Sequence, residues 1–148
     1  MIVGPLPLAD VDKVWPTIAV WMDKACKRGR GSMTAWNIYE GCRNGSMLLF
    51  VDWSNEQICA AIIGKVRTTP EGQVLSIEAA GGTEMRRWLP ELHSIEWLKT
   101  MGITLVDFEG RKGWERVVKG VSVIRQVYRL SLEPIPVPSE VDIVNNLR

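Results

Sequence analysis

In the stretch LSIEAAGGTEMRRW, Leu75 to Trp88, an apolar run ends in Gly81 and Gly82, and Thr83, Arg86 and Arg87 follow. These residue types at this spacing suit the binding of a phosphate. Where a strand runs into a helix N-terminus, several backbone N–H groups lack intrahelical partners and converge with the positive end of the helix dipole. A pyrophosphate can bind there. Glycine lets it approach the main chain closely, Thr83 would cap the helix while offering its hydroxyl, and the two arginines would pair with phosphate oxygens. The same residues also fit a plain turn, with Gly82 at positive φ, Thr83 as a cap and the arginines in solvent. On spacing alone both readings stand.

Other reactive side chains are sparse. His93 is the only histidine and sits among Leu92 and Ile95 in a helical pattern, which favours a structural role. With no second histidine and no elbow glycines around a serine, a hydrolytic triad finds no support. Cys26, Cys42 and Cys59 form no C-x-x-C pair, so neither a zinc site nor a disulfide framework is expected, and buried free thiols are. Lysine and arginine number 18 against 17 acidic residues, a net charge of +1, which leaves no broad footprint for nucleic acid or an anionic membrane. The cluster KACKRGRG has no interleaved aromatic residues and reads better as a solvated turn than as a nucleic-acid site. The N-terminus MIVGPLPLAD lacks a basic leader and a long apolar segment, and no apolar run is long enough to span a bilayer, so a cytoplasmic location is expected.

The elements that must position these groups follow from periodicity. Leu8, Val11, Val14, Trp15, Ile18, Trp21, Met22 and Ala25 recur at helical steps, with Asp10 as a candidate N-cap and Pro16 expected to kink or divide the helix. A shorter helix is predicted over 34–43 because Trp36, Tyr39 and Cys42 share a face and NGS closes it. MLLFVDW, QICAAIIGKVRT and QVLSIEAA, separated by SNEQ and PEG, read as a meander of three antiparallel strands. The stripe Met85, Trp88, Leu89, Leu92, Ile95, Leu98 and Met101 predicts a further helix, starting regularly near Pro90 and ending at Gly102. ITLVDFEG then reads as a strand, WERVVKG as a short helix and VSVIRQVYRLSL as a long final strand. In EPIPVPSEVDIVNNLR, Pro134, Pro136 and Pro138 alternate, which favours an extended arm. The domain is expected over 1–132, and the arm over 133–148.

This order of helix, helix, three meander strands, helix, strand, short helix, strand resembles the GCN5-related N-acetyltransferase superfamily over roughly Ile2 to Leu132. The segment AGGTEMRRWLPELHSIEWLKTMGITLVDFEGRKGWERVV is also similar to small acetyltransferase-like proteins of tailed bacteriophages. There a glycine pair, a Trp-Leu start, an I-E-W helix and a G-R-x-G-W-x-R turn recur. The resemblance implies an α/β (α+β) fold, a mixed and mostly antiparallel sheet flanked by helices. It also implies acetyl-coenzyme A (acetyl-CoA) as cofactor, held by Ala80, Gly81, Gly82, Thr83, Arg86 and Arg87. The superfamily loop reads approximately Q/R-x-x-G-x-G/A. Here the glycines are adjacent and no basic residue or glutamine stands three positions ahead, so Arg86 and Arg87 would have to supply the charge.

Acyl transfer from a thioester to an amine needs a base for the incoming ammonium and a donor for the carbonyl oxygen. The resemblance implies a strand carboxylate as base, and Glu78, near the end of the third meander strand on the face of Val74 and Ser76, is the best candidate. Asp107 alternates with Val106 and Phe108 on the next strand and would face the same cleft if the strands splay, as would Glu109. Pairing of these carboxylates with Arg111, Arg125 or Arg129 is the competing reading. The tyrosine acid common in the superfamily is absent, with Trp114 near its place. The implied partners are an amine substrate and, through Pro134–Arg148, a phage or host protein; a homo-oligomer also fits. The alternative is an inactive virion or assembly protein of the same fold.

Overall fold

The computed structural model describes residues 1–29, 33–83, 88, 90–109, 116, 119–124, 128 and 130–132. Its elements in chain order are β1 (Ile2–Val3), α1 (Leu8–Arg28), α2 (Ala35–Asn44), β2 (Leu48–Ser54), β3 (Gln57–Thr69), β4 (Gly72–Gly82), a 3-10 turn (Leu92–Ser94), α3 (Glu96–Thr100) and β5 (Ile103–Asp107). The strands form one sheet in the order β1-β2-β3-β4-β5. Neighbours are antiparallel except β4 and β5, which run parallel.

α1 is a single helix through Pro16, capped at Pro7 rather than at Asp10. The proline forfeits one backbone hydrogen bond, a cost of about 3 kcal/mol. Val11 on one side of it and Ile18 and Met22 on the other are all buried in one cluster, and that shared burial holds the two halves in line. α2 starts where its sequence says it should. Thr34 accepts from the Asn37 N–H at 3.2 Å while the Asn37 side chain accepts from the Thr34 N–H at 2.9 Å, a reciprocal cap, and Gly45 ends the helix at φ 82°.

The β2–β3 hairpin closes through Asn55 and Glu56, whose φ values of 52° and 61° give the twist a two-residue turn needs. β1 has too few residues to leave a periodic signal; its neighbour β2 carries the fully buried Asp52, whose carboxylate meets the Met1 ammonium at 2.9 Å. Without such a partner a buried charge is strongly destabilising.

Two layers of side chains cover the sheet. On one face Val11, Ile18 and Met22 of α1 and Ile38 and Cys42 of α2 pack with Leu49, Val51, Ala61, Ile63 and Ala79. On the other, Trp88, Leu92, Ile95 and Leu98 pack with Phe50, Ala60, Ile62 and Leu75. The helix expected over this second face is broken. Ile95 is extended (φ −77°, ψ 108°) between the 3-10 turn and α3, and the three-residue spacing of Leu92, Ile95 and Leu98, which a 3-10 turn eclipses on one side, keeps all three buried.

β4 also departs from expectation, because it runs on through Gly81 and Gly82. The glycine pair, read from the sequence as a strand-to-helix junction, is still strand. Trp88, 2% exposed, belongs to the core. In the predicted final strand, Val121–Ile124 carry no regular structure, and Val123 and Ile124 are exposed. Alternation supplies two side-chain faces but no partner backbone, and the described β5 ends at Asp107. The short helix predicted around Trp114 lies largely outside the described residues, and the arm 133–148 lies wholly outside them.

Candidate functional site

The strands β4 and β5 pair from Gln73 with Ile103 to Ser76 with Asp107. β4 then continues from Ile77 to Gly82 with β3 as its only strand partner among the described residues. This edge of β4, the β5 side beyond Ser76, without a strand partner among the described residues, is called the notch below. Its near end is marked by a bulge: Ile77 pairs with Gly64 and Ala79 with Ile63, so Glu78 is the extra residue. A bulge bends the strand and redirects a side chain. Plain alternation would bury Glu78 beside Val74 and Ser76, which are buried, yet Glu78 is exposed.

Beyond the bulge, hydrogen bonding sorts the main-chain groups. The Thr83 N–H donates to the Cys59 carbonyl at 2.8 Å. An antiparallel ladder alternates which residues bond across it, so Gly81 and Ala79 direct their N–H and C=O groups at β3, and Ala80 and Gly82 direct theirs at the notch. An N–H in such a place, near a carboxylate, can steady a carbonyl oxygen as negative charge grows on it.

The glycines are explained first by packing. A Cβ on Gly81 would stand 2.7 Å from Cβ of Trp21 and 3.1 Å from its carbonyl oxygen, so α1 could not lie as close to the sheet. Gly82 has φ +116°, a region L side chains avoid, and its Cβ would meet the Cys59 carbonyl oxygen and come 2.5 Å from Ala60 Cα. Thr83 caps nothing described: both its N–H and its hydroxyl, at 3.3 Å, donate to the Cys59 carbonyl. Arg86 and Arg87 lie outside the described residues.

Asp107 sits at the mouth of the notch, and Arg67 Nη2 holds its Oδ2 at 3.2 Å, with the side chains 42% (Arg67) and 26% (Asp107) exposed. Among the described residues the carboxylate–arginine pairing foreseen from sequence occurs with Arg67; Arg111, Arg125 and Arg129 lie outside them. Arg67 is forty positions away along the chain, and only the β3–β4–β5 register brings it near, so no local signal could have found it. Glu109 is exposed. No described residue pairs with the Glu78 carboxylate, which leaves Glu78 free to meet a cation.

The remaining candidates stay structural or apart. His93 is exposed on the 3-10 turn, not packed among the apolar side chains beside it. Burial pushes the Cys42 thiol up to about 11, and desolvation, with the nearby Asp23 charge, also raises Cys26. Neither is a ready nucleophile. Among the described residues no cluster could hold a metal ion, and no helix is long and apolar enough to cross a membrane.

The fold is similar to that of solved structures of acetyltransferases. A possible acetyltransferase from Clostridium difficile 630 is similar at a TM-score of 0.54 and 14% identity, covering 89% of this chain and 97% of that one. Ribosomal-protein-alanine N-acetyltransferase from Brucella melitensis biovar Abortus 2308 gives 0.57 and 10%, covering 88% and 100%. An aminoglycoside acetyltransferase from an uncultured soil metagenomic sample, in complex with sisomicin, gives 0.57 and 12%, covering 88% and 96%. No protein-family model and no curated protein matches the chain. The fold, a mixed five-stranded sheet flanked by helices, is like that of the GCN5-related N-acetyltransferases.

Proposed function

We propose that this protein is an acetyl-CoA-dependent N-acetyltransferase of the kind encoded by tailed bacteriophages, working in the notch between β4 and β5. The observation that carries the reading is the end of strand pairing at Ser76 and Asp107 while β4 runs on to Gly82. The donor set fits an acyl-thioester arm: Ala80 and Gly82 turn their N–H groups toward the notch, and Glu78 stands at its near end. The pyrophosphate end would fall to Arg86 and Arg87, since the Thr83 N–H is committed to Cys59.

The bound cofactor supplies an activated acetyl group. Glu78 would take the proton from the acceptor ammonium, which must be neutral to act as a nucleophile. An outward N–H of β4 would donate to a carbonyl oxygen in the notch. Asp107, tied to Arg67, holds its place at the mouth and adds negative charge that favours a cationic acceptor.

A second reading retains the fold without the reaction. Packing alone accounts for Gly81 and Gly82, and Val123, Ile124, Leu130 and Leu132 are 66–92% exposed, a surface suited to a virion or assembly partner. Isothermal titration with acetyl-CoA and with desulfo-coenzyme A separates the two. Saturable heat with both ligands is expected for the enzyme; no heat with either leaves the assembly role.

A further inference from the structure

α2 lies over β2, and its outer side is not used by the core. Glu40, Arg43 and Asn44 follow Trp36 by four, seven and eight positions, which places all four on one side of the helix. The core positions Ile38, Gly41 and Cys42 fall on the other. With Tyr39 these four residues line a shallow groove of about 440 Å³, within the size range of small-ligand sites. Tyr39 is a fixed wall of the groove: its ring lies 5.1 Å from that of Trp15 and packs against the helix-side core, and its hydroxyl donates to Asp12 at 2.6 Å. Trp36 leans on Tyr39, with ring centroids 5.4 Å apart, and is itself 62% exposed. Three polar groups stand beside this open indole. No described residue pairs with the Glu40 carboxylate, which can only accept hydrogen bonds. Arg43 meets Asp12 through Nε at 3.7 Å and its side chain is 56% exposed, so further N–H donors remain. Asn44 spends its carbonyl oxygen on the Ser46 N–H at 2.8 Å, which leaves its NH2 group to donate.

We propose that this groove binds a neutral pyranose sugar, with a C–H face of the ring on Trp36 and the hydroxyls shared among Glu40, Arg43 and Asn44. The argument is one of donor and acceptor matching. A ligand that satisfies the set must accept from Arg43 and Asn44 and also donate to Glu40. An ammonium can only donate and an anion can only accept, whereas a hydroxyl does both. Charge agrees, because the two charged residues that line the groove, Glu40 and Arg43, have opposite signs, and Asp12 behind them is engaged by Tyr39 and Arg43. The indole completes the match. Its negative face attracts the slightly positive C–H groups that line one side of a pyranose, and contact there removes apolar surface from water on both partners. The groove is shallow, so the sugar keeps part of its hydration. For a ligand of about a dozen non-hydrogen atoms, a dissociation constant on the order of 1 mM follows. The assignment is independent of acyl transfer in the notch.

The test titrates the nitrogen-15-labelled full chain with the methyl pyranosides of glucose, galactose, mannose and N-acetylglucosamine to about 20 mM, well above the expected constant. At least one should give saturable shifts of the Trp36, Glu40, Arg43 and Asn44 amides and of the Trp36 indole N–H. Trp36→Ala should weaken that binding roughly tenfold or more, and Trp36→Phe, which keeps a ring, should weaken it less. Trp36 is exposed, so circular dichroism should be the same in both variants and the loss reads the ring, not the fold. Cellobiose and N,N′-diacetylchitobiose identify the source of the sugar: binding roughly tenfold tighter than that of the matching monosaccharide assigns a glycan chain, and equal binding assigns a single sugar. No saturable shift with any of these sugars would overturn the proposal. So would shifts confined to other residues, unchanged affinity in Trp36→Ala, or tighter binding at these amides by choline or glucuronate than by any neutral sugar.

Discussion

The two edges of one short segment, Ala79 to Gly82, have opposite fates. The edge toward β3 is saturated: ladder pairing continues to Gly82 with Ala60, Thr83 adds two hydrogen bonds to Cys59, and both glycines are pressed against neighbouring backbone. The edge toward β5 has no described strand partner past Ser76. A strand can leave one edge open only if the other is fixed firmly, because an unsupported strand end would fray. The tight packing of Gly81 and Gly82 fixes the end of β4. In the proposed site these glycines would act by holding the strand that lines it, without having to touch a ligand.

This contrast can be broken from either side. The largest effect is expected for Gly82→Val, which forces a β-branched residue to φ +116° against Cys59 and Ala60 and should cost about 3 kcal/mol or more. Urea denaturation would reveal it, and a stability equal to the natural sequence would show that β4 is not held there. Glu78→Gln acts on the open edge alone. Stability should stay within about 0.5 kcal/mol, while acetyl transfer to an amine drops on the order of 100-fold in kcat/KM. Full activity in that variant would remove Glu78 as the base.

Gly81→Ala should be intermediate, near 1–2 kcal/mol, because the new methyl must push back the α1 backbone at Trp21. A thermal midpoint unchanged by it would mean that α1 yields freely. Smallest of all is Arg67→Ala. The pair with Asp107 is partly exposed, so about 0.5 kcal/mol is expected, and the difference from the natural sequence should shrink near 1 M salt. A difference insensitive to salt would point to packing by the arginine stem.

Legibility from sequence tracked how local each cause is. The closing turn of α2, the Asn55–Glu56 turn and the three meander strands were readable because a few adjacent residues dictate them. So was the family likeness of the fold, since it rests on the order of elements. Glu78 was identifiable as a strand carboxylate but not as a bulge residue, because a bulge exists only in the pairing of two strands. The glycine pair was read as a junction when it is strand, since its reason lies in Trp21 and Cys59, far along the chain.

The sequence by itself determined which segments are helix or strand over most of the described chain, through periodicity, caps and turn residues that act within a few positions. It also determined the types of group available at the end of β4. The tertiary structure alone decided that pairing with β5 stops at Asp107, that Ala80 and Gly82 face outward, and that Arg67, forty positions away, pairs with Asp107. Those outcomes depend on register between strands, and register is settled when whole faces are buried together.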